Sequence, residues 1–256
     1  NCVWNCYSSK GHMMMKLIRL VIYVSFVHLF FINYVYAAVC TSTPTKYEVT
    51  MKKVELCTSS ACTTTTVLAE KDGTFDIASA SAGADVGSWI TGYALEIGTT
   101  YTHIKATISS TFTIKGTCED DGLNGLAGDT WCTTIGTPTV AASSGTSPAT
   151  TDEVASSVAA ADMSWMVPNK ADADNGAFYG ATVATTFEAN GITKVNDAAT
   201  FTWIGALSSS YTPTATSAPK ITIKFDVTNQ FQHAGDGSGN CGIYVKPPTV
   251  NVTLAD

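Results

Sequence analysis

Five oxygen-bearing side chains, Glu119, Asp120, Asp121, Asn124 and Asp129, crowd the short segment CEDDGLNGLAGDTWC between Cys118 and Cys132. Carboxylates and amide carbonyls are hard ligands, and a loop offering several of them suits Ca²⁺. The spacing departs from that of an EF-hand, so the expectation is an irregular calcium loop, set against a plain hydrated loop. Paired carboxylates can also hydrolyse glycosides, but that chemistry needs two carboxyls held across a cleft, which neighbours in one loop do not guarantee. Asp172 and Asp174 ahead of Gly176, and Asp236, Ser238 and Asn240, repeat the oxygen alternation without completing a calcium pattern and read as turns. No other cofactor is implied.

A serine or cysteine nucleophile needs a positioned base, usually histidine. Beyond the export segment considered below only His103 and His233 remain, neither near a nucleophile elbow, and both read as ordinary exposed side chains. No catalytic residue is assigned, and the chain is expected not to be an enzyme. Trp89, Tyr93, Trp131, Trp165, Tyr179 and Tyr211 could stack on sugar rings, although such rings also plug cores at the bases of loops.

The elements that must position these residues are strands. Tyr47, Val49 and Met51 share one parity and Val54 and Leu56 the other, so a bulge near Lys52-Lys53 would keep all five on the core side. From Tyr101 to Lys115, Ile104, Ala106, Ile108, Phe112 and Ile114 alternate with His103, Lys105, Thr107, Thr111 and Thr113, giving one buried and one wet face. Ile221, Ile223, Phe225 and Val227 repeat the pattern, as do Val250, Val252 and Leu254. Ile243 to Val245 is cut off by Pro247-Pro248, which marks an edge or a crossing between sheets. Phe201 and Trp203 begin another strand, and Val183, Thr185 and Phe187 one more. Thr137 to Pro148 is a Thr/Ser-rich loop, and the alanines of Asp152 to Met163 predict one short helix after it. The fold class is therefore an all-β antiparallel sandwich with one short helix in a long insertion, near 137–163.

The compartment is set by Met13 to Ala38, which has the layout of a secretory signal peptide. Lys16 and Arg19 precede an apolar run from Leu20, and Val35 and Ala37 suit cleavage before Ala38. The expected organisation is a prefix of residues 1–12, a signal peptide of 13–37 and a single disulfide-linked sandwich of 38–256. The product is secreted, periplasmic or displayed at the cell surface, and it touches a membrane only through the signal segment if that stays uncleaved. Removing 1–37 takes the balance from 14 basic against 21 acidic residues to 11 against 21, and leaves no arginine. Nucleic acid, which needs a basic face, is excluded as a partner.

Cys40, Cys57, Cys62, Cys118, Cys132 and Cys241 remain, and an even set in an oxidising compartment implies disulfides. Proximity along the chain favours Cys57 with Cys62 and Cys118 with Cys132, which leaves Cys40 with Cys241. Zinc is disfavoured, because no C-x-x-C occurs.

Tyr47 to Leu56, Thr74-Phe75-Asp76-Ile77, Gly98 to Lys105 and Ile221 to Val227 together resemble uncharacterised secreted bacterial domains with a carbohydrate-binding-like, transthyretin-type sandwich. The resemblance implies a cell-surface or periplasmic module and supplies no catalytic residue. Two functions follow as expectations: a structural or adhesive surface protein that can assemble with its own copies, and a carbohydrate-binding module assisted by calcium. The corresponding partners are a second copy of the chain and a glycan.

Overall fold

The computed structural model describes residues 40–79, 89–90, 93–119, 130–136, 149–152, 154–155, 158–169, 186–235 and 240–256. These lie in the second of two units into which the chain divides, Ala37–Asp256. The signal-like stretch, the loop 137–148, Asp172, Asp174, Tyr179, Asp236 and Ser238 fall outside the described residues.

The protein is an all-β sandwich of antiparallel sheets, the largest curled into a half-barrel. Its strands are β1 (Cys40–Ser42), β2 (Lys46–Cys57), β3 (Thr65–Asp76), β4 (Tyr101–Ser109), β5 (Thr111–Lys115), β6 (Thr117–Glu119), β7 (Thr130–Thr133), β8 (Ala149–Asp152), β9 (Val154–Ala155) and β10 (Met163–Met166). After a four-residue helix, Thr186–Ala189, come β11 (Ile192–Thr193), β12 (Thr200–Tyr211), β13 (Lys220–Asp226), β14 (Phe231–Gly235), β15 (Asn240–Val245) and β16 (Thr249–Ala255). The half-barrel runs β10-β5-β2-β4-β12-β11, with β3 on the free edge of β2. The other sheets are β1-β14-β15-β8, β13-β16 and β6-β7-β9.

The bulge in β2 falls where the parity of the sequence switches. The ladders to β3 and β4 both slip between Met51 and Lys53, and Tyr47, Val49, Met51, Val54 and Leu56 are all buried. Alternation also holds in β13 and β16, which pair from Lys220–Ala255 to Asp226–Thr249 and bury Ile221, Ile223, Val252 and Leu254. Pro247 and Pro248 mark the crossing from β15, in one sheet, to β16, in another.

The stretch from Tyr101 to Lys115 departs from the expected single strand. It breaks at Ser110: β4 pairs outward with β12, whereas β5 pairs outward with β10. Ser110 is the fork. Its N–H donates to Ala199 O and its hydroxyl to Ala198 O, both at 2.8 Å, while its carbonyl accepts from Val167 N–H at 2.8 Å. One buried serine thus pins the start of β12 and the end of β10.

The helix expected over 152–163 is not formed. Ala149–Asp152 pairs with β15 and Val154–Ala155 with β7, so sheet pairing overrides the alanine propensity of a segment too short to be helical without packing. Among the described residues a short helix is formed at Thr186–Ala189, where it takes up Phe187, expected in a strand, and buries it. His233 stands in β14 opposite Cys40 and Ile243.

Candidate functional site

The wet face of the half-barrel is built by three neighbouring strands. His103, Lys105 and Thr107 of β4 stand opposite Cys57, Glu55 and Lys53 of β2, and opposite Ala206, Ile204 and Thr202 of β12. Cross-strand neighbours on one face lie close enough to pair, and here they carry opposite charge. Glu55 takes Lys53 at 3.3 Å and Lys105 at 3.8 Å, and accepts from Thr65 Oγ1 at 2.9 Å. Lys53 also reaches Glu70 at 3.6 Å. Glu55 is only 6% exposed, so its charge is balanced by two lysines and a hydroxyl rather than by water.

At one end this face opens into a groove of about 640 Å³. Ser60, His103, Asn190, Thr193, Trp203 and Thr249 line it. The groove lies between the β11 side of β12 and the first residues of β16. Three local features shape it. Cys57–Cys62 staples the β2–β3 turn that carries Ser60. Gly191 has φ +69°, and any Cβ there would strike the carbonyl of Ile204, whose N–H donates to Gly191 O at 2.9 Å. Trp203 lies across Gly205, where a side chain would collide with its indole. His103 Nδ1 is engaged by Thr102 Oγ1 at 2.8 Å.

Beneath the groove an apolar void of about 90 Å³ sits in the core and shares Ile192, Trp203, Pro248 and Val250 with it. Engineered apolar cavities of about 150 Å³ stay dry and accept benzene, so this smaller space takes no more than a small apolar group.

Most sugar-platform candidates face inward. Trp89 and Trp165 are buried, with Nε1 donating to Asp72 O at 3.2 Å and to Ile243 O at 3.0 Å respectively. Tyr93, Trp131 and Tyr211 are half-buried, and both tyrosine hydroxyls donate, to Pro219 O and to Asp256 Oδ1. Trp203, expected only as a strand residue, is the ring that reaches the groove; its distinguishing neighbour is Gly205, two places on.

Of the calcium candidates, Asp120, Asp121, Asn124 and Asp129 lie outside the described residues, as does the side chain of Glu119. Among the described residues no group of three or more metal-ligating side chains converges.

Among the described residues two disulfides are defined, Cys57–Cys62 and Cys132–Cys241. The second corrects the pairing expected from proximity, Cys118 with Cys132 and Cys40 with Cys241. Cys118 and Cys132 are directly opposite in the β6–β7 ladder, but the buried Cys132 bonds instead to the buried Cys241 of β15 and so ties two sheets together. Cys118 is also disulfide-bonded. These bonds are compatible with an extracellular or otherwise oxidising compartment.

A third cluster, with no motif in the sequence to announce it, lies beside the Ser110 fork. Lys194 Nζ donates to Asn169 Oδ1 at 2.9 Å, the backbone N–H of Asp197 donates to the same oxygen at 2.9 Å, and Asn169 Nδ2 donates to Asp197 Oδ1 at 3.1 Å. Asn169 and Lys194 are 4% and 7% exposed.

No protein-family model, curated protein or solved structure matches this chain.

Proposed function

We propose that the protein is a secreted, non-enzymatic β-sandwich of the bacterial cell surface or periplasm with a structural or adhesive role, able to associate with its own copies. The observation that carries this reading is the orientation of the aromatic rings. Buried Trp89 and Trp165 serve the core, while the outer face carries threonines and Lys–Glu pairs, a polar surface of the kind that rims protein contacts. Covalent ties between sheets support the same reading, because a module exposed outside the cell cannot rely on chaperoned renewal. Light scattering of the secreted chain across a concentration series tests it. Concentration-dependent association, weakened by charge reversal at Lys105, is the expected result; a strict monomer that adheres to no surface would overturn it.

A carbohydrate-binding role is the second reading, favoured by the Trp203 groove with its ring of Ser, Thr, Asn and His side chains. Indole faces stack on the CH-rich faces of sugars, and such polar neighbours can bind their hydroxyls. Glycan-array binding that survives in the wild type and disappears in Trp203→Ala would establish it. Repeating the array with a chelator decides whether calcium, through the acidic segment 119–129, takes part.

A further inference from the structure

We infer that Lys194 and Asn169 are built to join through an intramolecular isopeptide bond, formed without any cofactor and assisted by Asp197. The inference stands independently of the adhesive reading and needs only the local chemistry. Lys194 Nζ sits 2.9 Å from Asn169 Oδ1. The amide carbon is one carbonyl bond from that oxygen, so the amine lies within about 4 Å of the carbon it would attack. Both side chains are nearly sealed from solvent, which keeps water from competing as the nucleophile.

Each component of acyl transfer is present. The carbonyl oxygen already accepts the Asp197 backbone N–H at 2.9 Å, a donor placed to hold the oxyanion of a tetrahedral intermediate. The Asp197 carboxylate touches the leaving nitrogen, accepting from Asn169 Nδ2 at 3.1 Å. In the step, the Lys194 side chain moves from the carbonyl oxygen it touches to the face of Cγ, which brings Nζ toward the Asp197 carboxylate held on Nδ2; there the ammonium gives one proton to that carboxylate and its lone pair attacks Asn169 Cγ. Asp197 passes that proton to Nδ2, the Cγ–Nδ2 bond breaks, and the second amine proton departs with the leaving group. A lysine ammonium and a primary amide become a secondary amide and an ammonium ion, with charge conserved and nothing oxidised or reduced.

The frame is rigid where this chemistry needs it. Asn169 follows β10 and Lys194 to Asp197 precede β12, and Ser110 hydrogen-bonds to Val167 on one side and to Ala198 and Ala199 on the other. Asp197 is held at φ +60°, in the left-handed region that aspartate enters more readily than most side chains. Val195 O accepts from Ala198 N–H at 3.1 Å and closes that turn.

Mass spectrometry of the folded full chain, reduced and alkylated, tests the inference. The expected mass is lower than that of the processed sequence by about 17 Da, one ammonia. Trypsin should then release a branched peptide, because an acylated Lys194 resists cleavage: the peptide ending at Lys170 remains joined to the one running from Ala171 to Lys220. Full mass with ordinary cleavage after Lys194 in the wild-type protein would overturn the proposal, whatever any variant does. Lys194→Arg and Asn169→Ala should restore the full mass. Asp197→Ala, checked for folding by its intact Cys132–Cys241 bond, should slow cross-linking by roughly 10²- to 10⁴-fold, the range of general acid–base assistance. Cross-linking of Asp197→Ala at the wild-type rate would refute the part assigned to the carboxylate.

Discussion

Ile104→Ala against Thr107→Ala, two positions of opposite parity on β4, measures the sandwich most directly. Ile104 is 0% exposed, whereas Thr107 sits on the wet face opposite Lys53 and Thr202. Truncating Ile104 removes three carbon groups from the core, worth about 2.4 kcal/mol at ~0.8 per group. Its side chain also lines the existing void of about 90 Å³, so the vacated space enlarges a gap that the surrounding strands already leave unfilled. If about 60 Å³ stays empty, the cavity adds ~1.5 kcal/mol at roughly 24 cal/mol per Å³, for a total of about 4. Ile108 lines the same void but is half-buried, so Ile108→Ala should cost about half as much. Thr107→Ala should cost well under ~1 kcal/mol. Urea denaturation with disulfides intact reads the difference, and a thermal scan should show Ile104→Ala melting about 8–15 °C lower. Equal losses at Ile104 and Thr107 would refute the division of β4 into a core face and a wet face.

Three further outcomes are expected. Peptide mapping without reduction should yield Cys57–Cys62, Cys132–Cys241 and a third link from Cys118 to Cys40, since Ser42 Oγ donates to Thr117 O at 2.8 Å and brings β1 beside β6; a Cys118 peptide bound to Cys2 or Cys6 would contradict this. The Lys46–Asp162 pair, 2.6 Å apart, raises the lysine and lowers the carboxyl through their shared hydrogen bond, so its contribution holds between the two ordinary pKa values and fades as pH falls through the depressed Asp162 value or rises through the raised Lys46 value; the melting difference between wild type and Lys46→Met should therefore shrink in acid, and a difference that grows there would reverse the sign. Burial raises Tyr47 well above the usual tyrosine range, so the folded state keeps a proton that the unfolded chain loses above about pH 10, and the stability it lends declines as pH climbs past that point. Tyr47→Phe should flatten that alkaline decline in a pH series of melting temperatures, and an unchanged slope would count against it.

The strands most legible in the sequence are those whose apolar parity has one physical owner. In β2 the parity switch at Lys52-Lys53 marks the bulge, and in β13 and β16 every buried residue falls on the expected side. Parity is blind to a break that preserves it: Ile108 and Phe112 flank Ser110 four residues apart, so the fork leaves the alternation intact even though the outward partner changes from β12 to β10. The alanines near 152 to 163 carried a helical propensity that pairing with β7 and β15 outweighs. Of the candidate site, His103 and Lys105 were legible as a wet face, but Trp203 was not separable from core. Asn169, Lys194 and Asp197 converge only because Ser110 draws two distant segments together, a contact no local spacing encodes.

Cys132–Cys241 likewise joins segments far apart in the chain, and loop lengths rank the covalent ties. A half-barrel that forks leaves its outward strands joined by few backbone hydrogen bonds, so a bond across a seam restrains far more chain than one within a turn. By loop-closure entropy, Cys57–Cys62, separated by 5 residues, restrains the unfolded chain by about 2 kcal/mol, whereas Cys132–Cys241, separated by 109, reaches ~4.8. A bond between Asn169 and Lys194, 25 residues apart, would add about 3.5 kcal/mol on the same scale at the fork itself, where no disulfide is placed among the described residues. Reduction therefore releases the β7–β15 seam but leaves the Ser110 fork closed if the amide bond is present. Under reducing denaturation, the segment around β10 and β12 should keep its protection against proteolysis after β7 and β15 have lost theirs, and Lys194→Arg should abolish that order. Loss of protection in both regions together in the wild-type chain would mean that hydrogen bonds alone hold the fork.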